Sequence, residues 1–207
     1  MTIPAGEPVS AEAVRSWITH QVPDRFGYVR TESERHREAH GPGCTVYPTA
    51  SGPLIGVLAA ATGARRALEL GTGLGYSTLW LAHAGAHVDT VEQDEGHAEL
   101  AREHVEGEGL DVQVHVGLGA DVLPSLEPGY DMAFNDGEPV EFETDLDEFE
   151  RLLRPGGLLV SANLFLGQYS KDVEGLEHAA AYRVRLLDED LYTTTLLPDG
   201  LALSVRP

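Results

Sequence analysis

The chain of 207 residues is poor in cysteine and almost without lysine. Cys44 is its single cysteine, which excludes an internal disulfide, and a small apolar filler is a more common role for such a residue than a nucleophile. No apolar run approaches the roughly 20 residues that a membrane helix needs. Residues 1–12 also lack the basic start and apolar core of a secretion signal. These absences predict a cytoplasmic protein.

Positive charge is scarce as well. Lys171 is the only lysine, and 14 basic residues stand against 34 acidic ones, which gives a net charge of −20. Phosphate groups bind to basic protein surfaces and release counterions there, so this balance argues against DNA, RNA and anionic membranes as partners. Hydrophobic residues make up 42% of the chain, which suits one globular domain over residues 1–207.

The order of apolar segments predicts an α/β fold. Short runs rich in valine and leucine alternate with helical patterns, which is typical of a parallel sheet covered by helices. The predicted strands span residues 67–70, 87–92, 112–116, 131–135 and 158–162, and a closing antiparallel hairpin spans 192–197 and 201–205. Helical periodicity covers residues 76–84, 95–106 and 140–153.

Residues 1–45 are polar and helical in character. Ser10 can cap a helix that runs through His20, and Asp24 can start a second helix that stops near residues 41–43. A segment this polar cannot form a core of its own. We therefore expect it to lie on a cofactor-binding core of residues 46–207, or on a second subunit, as a lid or an interface, and we expect a homodimer.

The turn after the first predicted strand carries the most information about a ligand. Residues 69–77 read ELGTGLGYS. A glycine-rich turn between a strand and a helix exposes backbone amides at the carboxyl edge of the sheet, where open α/β folds bind ligands. The dinucleotide fingerprint G-x-G-x-x-G would need glycine at the position of Tyr76, so pyrophosphate binding and nicotinamide-dependent oxidoreduction are disfavoured.

Two glutamates narrow the choice of ligand. Glu69, two positions before Gly71, would repel a pyrophosphate and attract an ammonium or sulfonium group. Glu92 ends the second predicted strand, where an acid can accept both hydroxyls of a ribose. A cationic ribose compound without phosphates is S-adenosylmethionine, which we predict as the cofactor. The simpler alternative is a tight turn whose glycines serve only packing.

Residues 69–82 closely resemble the first motif of the class I S-adenosylmethionine-dependent O-methyltransferases of the catechol and caffeoyl-CoA type. The resemblance runs from about Tyr47 to the end of the chain and includes RLLRPGG at 151–157 and YTTTLLPDG at 192–200. It implies a Rossmann-like, seven-stranded methyltransferase sheet, mostly parallel with an antiparallel last strand, plus N-terminal helices.

The resemblance also assigns residues to the cofactor. These are Glu69, Gly71, Gly73, Tyr76 and Ser77 around the methionine part, Glu92 at the ribose, Gly119, Ala120 and Asp121 at the adenine, and Asp136 beside both cofactor and metal.

The chain departs from this family in its chemistry. Metal-dependent members hold magnesium or calcium with an Asp after strand four and an Asp-Asn pair after strand five, and these positions are Asp136, Ala162 and Asn163 here. A methyl group replaces one carboxylate, so we expect divalent metal affinity to be weak or absent, with Asp136 and Asn163 as vestiges of the site. The position of the family's catalytic lysine is Pro139, which cannot accept a proton.

The remaining candidates for catalysis are Asp136, Glu138 and Asn163. Glu138 is the better candidate base because Asp136 is expected to face the cofactor, and Asn163 could orient an acceptor hydroxyl. A solvated loop acid is the alternative interpretation of Glu138. The sequence does not choose among further candidate bases, namely His36, His40 and, on the helix after strand five, His178.

Our main hypothesis is metal-independent O-methylation of a small phenolic, catechol-like or acidic molecule. Displacement from a sulfonium needs an aligned nucleophile and exclusion of water more than it needs a metal ion. Two alternatives stay open: a non-catalytic protein that binds S-adenosylmethionine, and an RNA-nucleotide methyltransferase, which the net charge opposes.

Overall fold

The computed structural model of the chain describes residues 22–49, 52–164, 173–197 and 200–207, together with Ser10 and Ala13. The strands in these ranges are β1 (Arg66–Leu70), β2 (His87–Glu92), β3 (Val112–Val116), β4 (Tyr130–Asn135), β5 (Leu153–Ser161), β6 (Thr193–Leu196) and β7 (Ala202–Val205).

The α-helices in the same ranges are α1 (Gly27–His40), α2 (Gly52–Thr62), α3 (Tyr76–His83), α4 (Glu95–Glu108), α5 (Gly119–Val122), α6 (Phe142–Leu152) and α7 (Val173–Leu186). Short 3₁₀ turns span Gly41–Gly43, Leu123–Ser125 and Pro139–Glu141. Every helix of the described part is too short or too polar to cross a lipid bilayer.

One sheet joins all seven strands in the order β3-β2-β1-β4-β5-β7-β6. The pairs from β3 through β5 are parallel, and β7 runs antiparallel to both β5 and β6. The predicted Rossmann-like sheet, mostly parallel with an antiparallel last strand, is confirmed. The strand order reverses between β1 and β4, so a crevice opens there at the carboxyl ends of the strands.

Apolar cores lie on both faces of the sheet because successive side chains of a strand point to opposite sides. Leu68 and Leu70 of β1 pack in the core beneath α6 and α7, with Phe149 and Tyr182. Ala67 points the other way, into the core beneath α2 and α3. The side chain of Glu69 shares the side of Ala67, and this placement decides its role below.

The described part of the N-terminal segment packs on the sheet domain, as expected for a segment without a core of its own. Phe26 and Val29 are fully buried in a cluster with Leu74 and Leu79. The ring of Phe26 meets the ring of Trp80 edge-on, with 5.1 Å between centroids.

The two predicted N-terminal helices have different outcomes. The N–H of Ala13 donates to Oγ of Ser10 at 3.1 Å, as a cap requires, but the other residues of that predicted helix lie outside the described part. The predicted start of the second helix at Asp24 is wrong, because α1 begins at Gly27. The Asp24 carboxylate instead accepts hydrogen bonds from Arg30 and from the hydroxyl of Tyr76.

The fifth strand is longer than predicted. Leu153 already pairs with Tyr130, and the register shifts before Leu158 pairs with Met132. Gly156 absorbs this irregularity with φ +73°, and its N–H donates to the carbonyl of Arg206. Residues 154–157 therefore stay attached to the sheet.

The loop after β1 depends on glycine at its first position. Gly71 has φ +93°, a region that L-residues with side chains rarely adopt, and its N–H donates to the carbonyl of Val91 at 3.0 Å. A Cβ at this position would lie 2.6 Å from the carbonyl oxygen of Asp136. Both the backbone conformation and the close approach of the loop after β4 exclude a side chain here.

We expect Gly71→Ala to lower the free energy of unfolding by at least about 1–3 kcal/mol, the typical cost of a strained backbone conformation. The matched control is Gly107→Ala on α4, where φ is helical and a Cβ meets open space. That control should raise stability by about 0.5–1 kcal/mol. Urea denaturation measures both changes, and a Gly71→Ala variant as stable as the parent would contradict the account of this loop.

Candidate active site

A cavity of about 520 Å³ lies at the carboxyl ends of β1, β2 and β4, where the strand order reverses. This size falls within the range of about 300–1,000 Å³ for small-molecule sites. Its wall contains residues 70–74, 91–93, 117–119 and 136–138, and residues 44–49 close one side. We name residues 44–49 the cover segment.

Glu92 is held rigidly in the wall of this cavity. Its Oε2 accepts a hydrogen bond from the N–H of Gly73 at 2.8 Å, and its Oε1 accepts one from the N–H of Asp94 at 3.0 Å. Because backbone amides anchor both oxygens, the carboxylate cannot rotate freely. Each oxygen keeps a further lone pair that can accept a hydroxyl of a ligand.

Glu69 is placed differently from the expectation that it would face a ligand cation. It is 0% exposed, and among the described residues it is not part of the cavity wall. The alternation of β1 sends its side chain beneath the glycine loop, where the hydroxyls of Thr78 and Thr90 donate to its Oε2. In the described part of the chain, the side chain of Glu69 therefore does not reach the cavity wall.

Glu69 instead supports the loop from below. The hydroxyl of Thr90 lies 2.6 Å from Oε2 of Glu69 and 2.6 Å from the hydroxyl of Thr72, which belongs to the loop. Burial raises the pKa of Glu69 to about 7, although the hydroxyls around it partly offset this rise. The chain of hydrogen bonds fixes the underside of the loop while the upper side faces the cavity.

Tyr76 and Ser77 begin α3 and both line the cavity, as do Gly71 and Gly73. The hydroxyl of Tyr76 donates to Asp24 at 2.8 Å, which links the cavity wall to the N-terminal segment. Burial raises the pKa of Tyr76, so it stays a neutral donor in this contact.

The three residues expected to border an adenine are separated by the structure. Gly119 lies in the wall of the cavity, whereas Ala120 and Asp121 are exposed. The reason is that α5 begins at Gly119 and turns the next side chains outward. Asp121 lines a neighbouring shallower depression, which we name the side pocket.

Asp136, Glu138 and Asn163 are brought together in the wall of the cavity. The amide Nδ2 of Asn163 donates to Oδ1 of Asp136 at 2.7 Å. Asn163 has φ +61°, a left-handed conformation that asparagine tolerates better than most residues. Burial raises the pKa of Asp136 to about 8, and the charges of Glu69 and Glu138 add to this rise.

These residues do not fit a magnesium or calcium ion. Asp136 is the one carboxylate at the three family positions, and Nδ2 of Asn163 donates to it, whereas a hard cation prefers several oxygen ligands. Ala162 is buried in the apolar core with Phe134 and Val160 and has no ligand atom to offer. The weak or absent metal affinity at this position stays a prediction.

The histidines considered as bases lie outside the cavity wall. His36 and His40 line the side pocket, and His178 on α7 makes a 2.6 Å contact with Glu143 through Nδ1. The cover segment, Glu141 and His97 also line the cavity, and no motif of the sequence predicts them as site residues. They lie on separate elements of the fold. Only the position of the cover segment, beside the N-terminal segment predicted as a lid or an interface, indicated a role near the cavity.

The cavity wall is acidic. Its acidic members are Glu92, Asp136, Glu138 and Glu141, and none of the described residues that line it is lysine or arginine. Such a wall attracts a positively charged ligand and disfavours phosphates, since like charges repel strongly in a partly desolvated site. The geometry thus fits a cationic nucleoside better than a dinucleotide.

Comparisons with known proteins agree with this geometry. Residues 68–163 match the family model described as a methyltransferase domain. The chain is 34% identical over 160 residues to a catechol O-methyltransferase of Niastella koreensis, covering 71% of this chain and 72% of the relative.

Two solved structures are similar over nearly the whole chain. The O-methyltransferase TomG from Streptomyces achromogenes, in complex with SAM, has a TM-score of 0.76 and 26% identity, covering 93% of this chain and 95% of its own. An O-methyltransferase from Bacillus cereus, in complex with SAH (S-adenosylhomocysteine), has a TM-score of 0.76 and 25% identity, covering 94% of this chain and 97% of its own. The chain belongs to the class I S-adenosylmethionine-dependent O-methyltransferases.

Proposed function

We propose that this O-methyltransferase moves the methyl group of S-adenosylmethionine to a hydroxyl of a small phenolic or catechol-like acceptor without a divalent metal ion. The observation that carries the proposal is the acidic cavity with an anchored Glu92 and no cationic side chain among its described residues. The residues at the family's metal positions support the part of the proposal that concerns metal independence.

The cofactor would lie along the loop after β1. Glu92 accepts the two ribose hydroxyls, because its carboxylate is already fixed by two backbone amides. Gly71 and Gly73 leave room for the methionine part. Asp136 stands at the end of the cavity where its charge stabilises the sulfonium, and Asn163 holds that carboxylate in place.

The transfer itself is a displacement at carbon. An oxygen lone pair of the acceptor forms a bond to the methyl carbon while the carbon–sulfur bond breaks and sulfur keeps the electron pair. The hydroxyl proton passes to a base, and the exposed carboxylate of Glu138 is our candidate for it. The cover segment excludes water and aligns the two reactants, and this alignment supplies most of the acceleration.

The charge of the wall also selects among acceptors. A neutral phenol enters this cavity without electrostatic cost, but a carboxylate or a phosphate would meet acidic side chains and find no described basic one. We therefore favour phenolic acceptors over the acidic molecules and the RNA that the sequence left open. A homodimer and a cytoplasmic location stay predictions.

Methyl transfer tests the proposed reaction directly. The purified chain is given cofactor with a labelled methyl group, at saturating concentration, and a panel of neutral phenols, catechols and carboxylic acids, with either EDTA or magnesium. We expect label in a phenolic product at the same turnover rate in both buffers. Turnover that requires magnesium would overturn metal independence, and cofactor binding without transfer to any acceptor would favour the non-catalytic alternative.

Cofactor affinity should depend on pH through Asp136. Its pKa of about 8 without cofactor means that it is mostly protonated at pH 6, and a sulfonium binds better to the ionised form. Affinity for S-adenosylmethionine should rise from pH 6 to pH 8, by at most about tenfold per pH unit, and then level off. S-adenosylhomocysteine, whose sulfur is neutral, should show little of this rise.

Isothermal titration calorimetry at several pH values measures both affinities. Asp136→Asn should flatten the profile for S-adenosylmethionine, whereas Glu103→Gln, an exposed acid on α4, should leave it unchanged. If the affinities for the two ligands rose equally with pH, Asp136 would not be the group that stabilises the sulfonium.

A further inference from the structure

A second group of chemically active side chains lies beside the cavity, in the side pocket. His36 comes from α1, Cys44 from the cover segment and His97 from the first turn of α4. Each offers a nitrogen or sulfur atom, and these three atoms all lie within 4.8 Å of one another. In the described part of the chain no other group of three or more such side chains approaches as closely.

Two of the three residues are unusually buried for reactive side chains, whereas His36 is half-buried. Cys44 is 7% exposed and His97 is 9% exposed. Nδ1 of His97 is buried without a hydrogen-bond partner among the described residues, and the nearest acidic oxygens, of Glu92 and Asp94, lie 3.8 and 3.9 Å away. A buried nitrogen in this state lacks the partner that polar groups in protein interiors normally have.

Two imidazoles and a thiolate are donors for zinc and similar transition metals, and they are unsuited to magnesium or calcium. Zinc holds nitrogen at about 2.0–2.1 Å and sulfur at about 2.3 Å, so its ligand atoms are roughly 3.5 Å apart. The three atoms, now within 4.8 Å of one another, would have to approach by roughly 1 Å at most to reach that value. Glu92 and Asp94 lie 3.8 and 3.9 Å from Nδ1 of His97, close enough for their negative charge to offset that of an ion bound by this group.

We propose that His36, Cys44 and His97 form a zinc site that ties α1 and the cover segment to α4. On binding, the thiol of Cys44 releases its proton to solvent and its sulfur donates an electron pair to the ion, with two neutral imidazoles as further ligands. A fourth position stays open to water. The ring of His40 is stacked on that of His36, with 4.0 Å between centroids, and it also lines the side pocket.

The place of the site gives it a consequence for the neighbouring cavity. Cys44 and His97 line the cavity as well as the side pocket, and His97 stands close to Glu92. An ion here would fasten the cover segment over the cavity and slow the release of a bound nucleoside. This site goes beyond methyl transfer and does not depend on which acceptor the enzyme uses.

Cobalt substitution tests the site on the full chain. We add Co²⁺ to metal-free protein and record the thiolate-to-cobalt charge-transfer band and the visible bands of a four-coordinate ion. Because Cys44 is the single cysteine of the chain, a charge-transfer band can arise from no other residue. Zn²⁺ should abolish both sets of bands as it displaces cobalt.

The variants separate ligation from folding. Cys44→Ser should abolish the charge-transfer band, and His36→Gln should weaken zinc binding by at least about a hundredfold, the upper end of the loss seen when mere outer-shell partners are removed. His87→Ala, at the amino end of β2, should bind zinc like the parent. Thermal unfolding without metal shows whether each variant is folded, and zinc should raise the melting temperature of the parent but not that of Cys44→Ser.

The proposal is overturned if folded parent protein shows no charge-transfer band, or if zinc stabilises Cys44→Ser as much as the parent. The rate of S-adenosylhomocysteine release, followed after dilution, tests separately whether zinc holds the cover segment over the cavity. We expect slower release with zinc in the parent and no effect of zinc in Cys44→Ser. Equal rates with and without zinc in the parent would contradict the fastening of the cover segment.

Discussion

The carboxylate of Glu92, fixed by the amides of Gly73 and Asp94, is the constraint on which the rest of the site depends. The amide of Gly73 can reach it only because the loop after β1 bends back over β2. That bend requires a left-handed backbone at Gly71 and the support of Glu69 from below. These two hydrogen bonds to one carboxylate thus relate the sequence of the loop, the packing of β1 against β2, and the shape of the ligand cavity.

Much of this could be predicted from the sequence because the evidence is local. The strands follow from short apolar runs, and Glu92 follows from its position at the end of one of them. The direction of Glu69 could have been derived as well, since it alternates with Leu68 and Leu70 along β1. The hydroxyls of Thr78 and Thr90 that receive it belong to a helix and a neighbouring strand, and no local pattern points to them.

Other features of the site depend on contacts between distant parts of the chain. The sequence predicts Cys44 to be an apolar filler, and its side chain packs with Val46 and Leu74. His97 lies far from it in sequence, and only the fold brings the two side chains near each other. Ala120 and Asp121 turn away from the cavity because α5 begins at Gly119, and the composition of this stretch does not fix where the helix begins.

The acidic character of the chain has a local meaning in the cavity. A wall with four carboxylates would repel an anion, but it suits a sulfonium. A cationic nucleoside is therefore a compatible ligand although the net charge of the chain is −20. The loss of one family carboxylate at Ala162 reduces the repulsion at Asp136, which already has a raised pKa. Under our proposal, Glu92 and Asp136 hold the cofactor, whereas Ala162 offers no carboxylate to a metal ion.

A crystal structure with S-adenosylhomocysteine tests the central claim most directly. The account predicts both ribose hydroxyls within hydrogen-bonding distance of the Glu92 carboxylate, while the amides of Gly73 and Asp94 still bind the same two oxygens. A nucleoside bound elsewhere, or a Glu92 side chain turned away from the ribose, would contradict it.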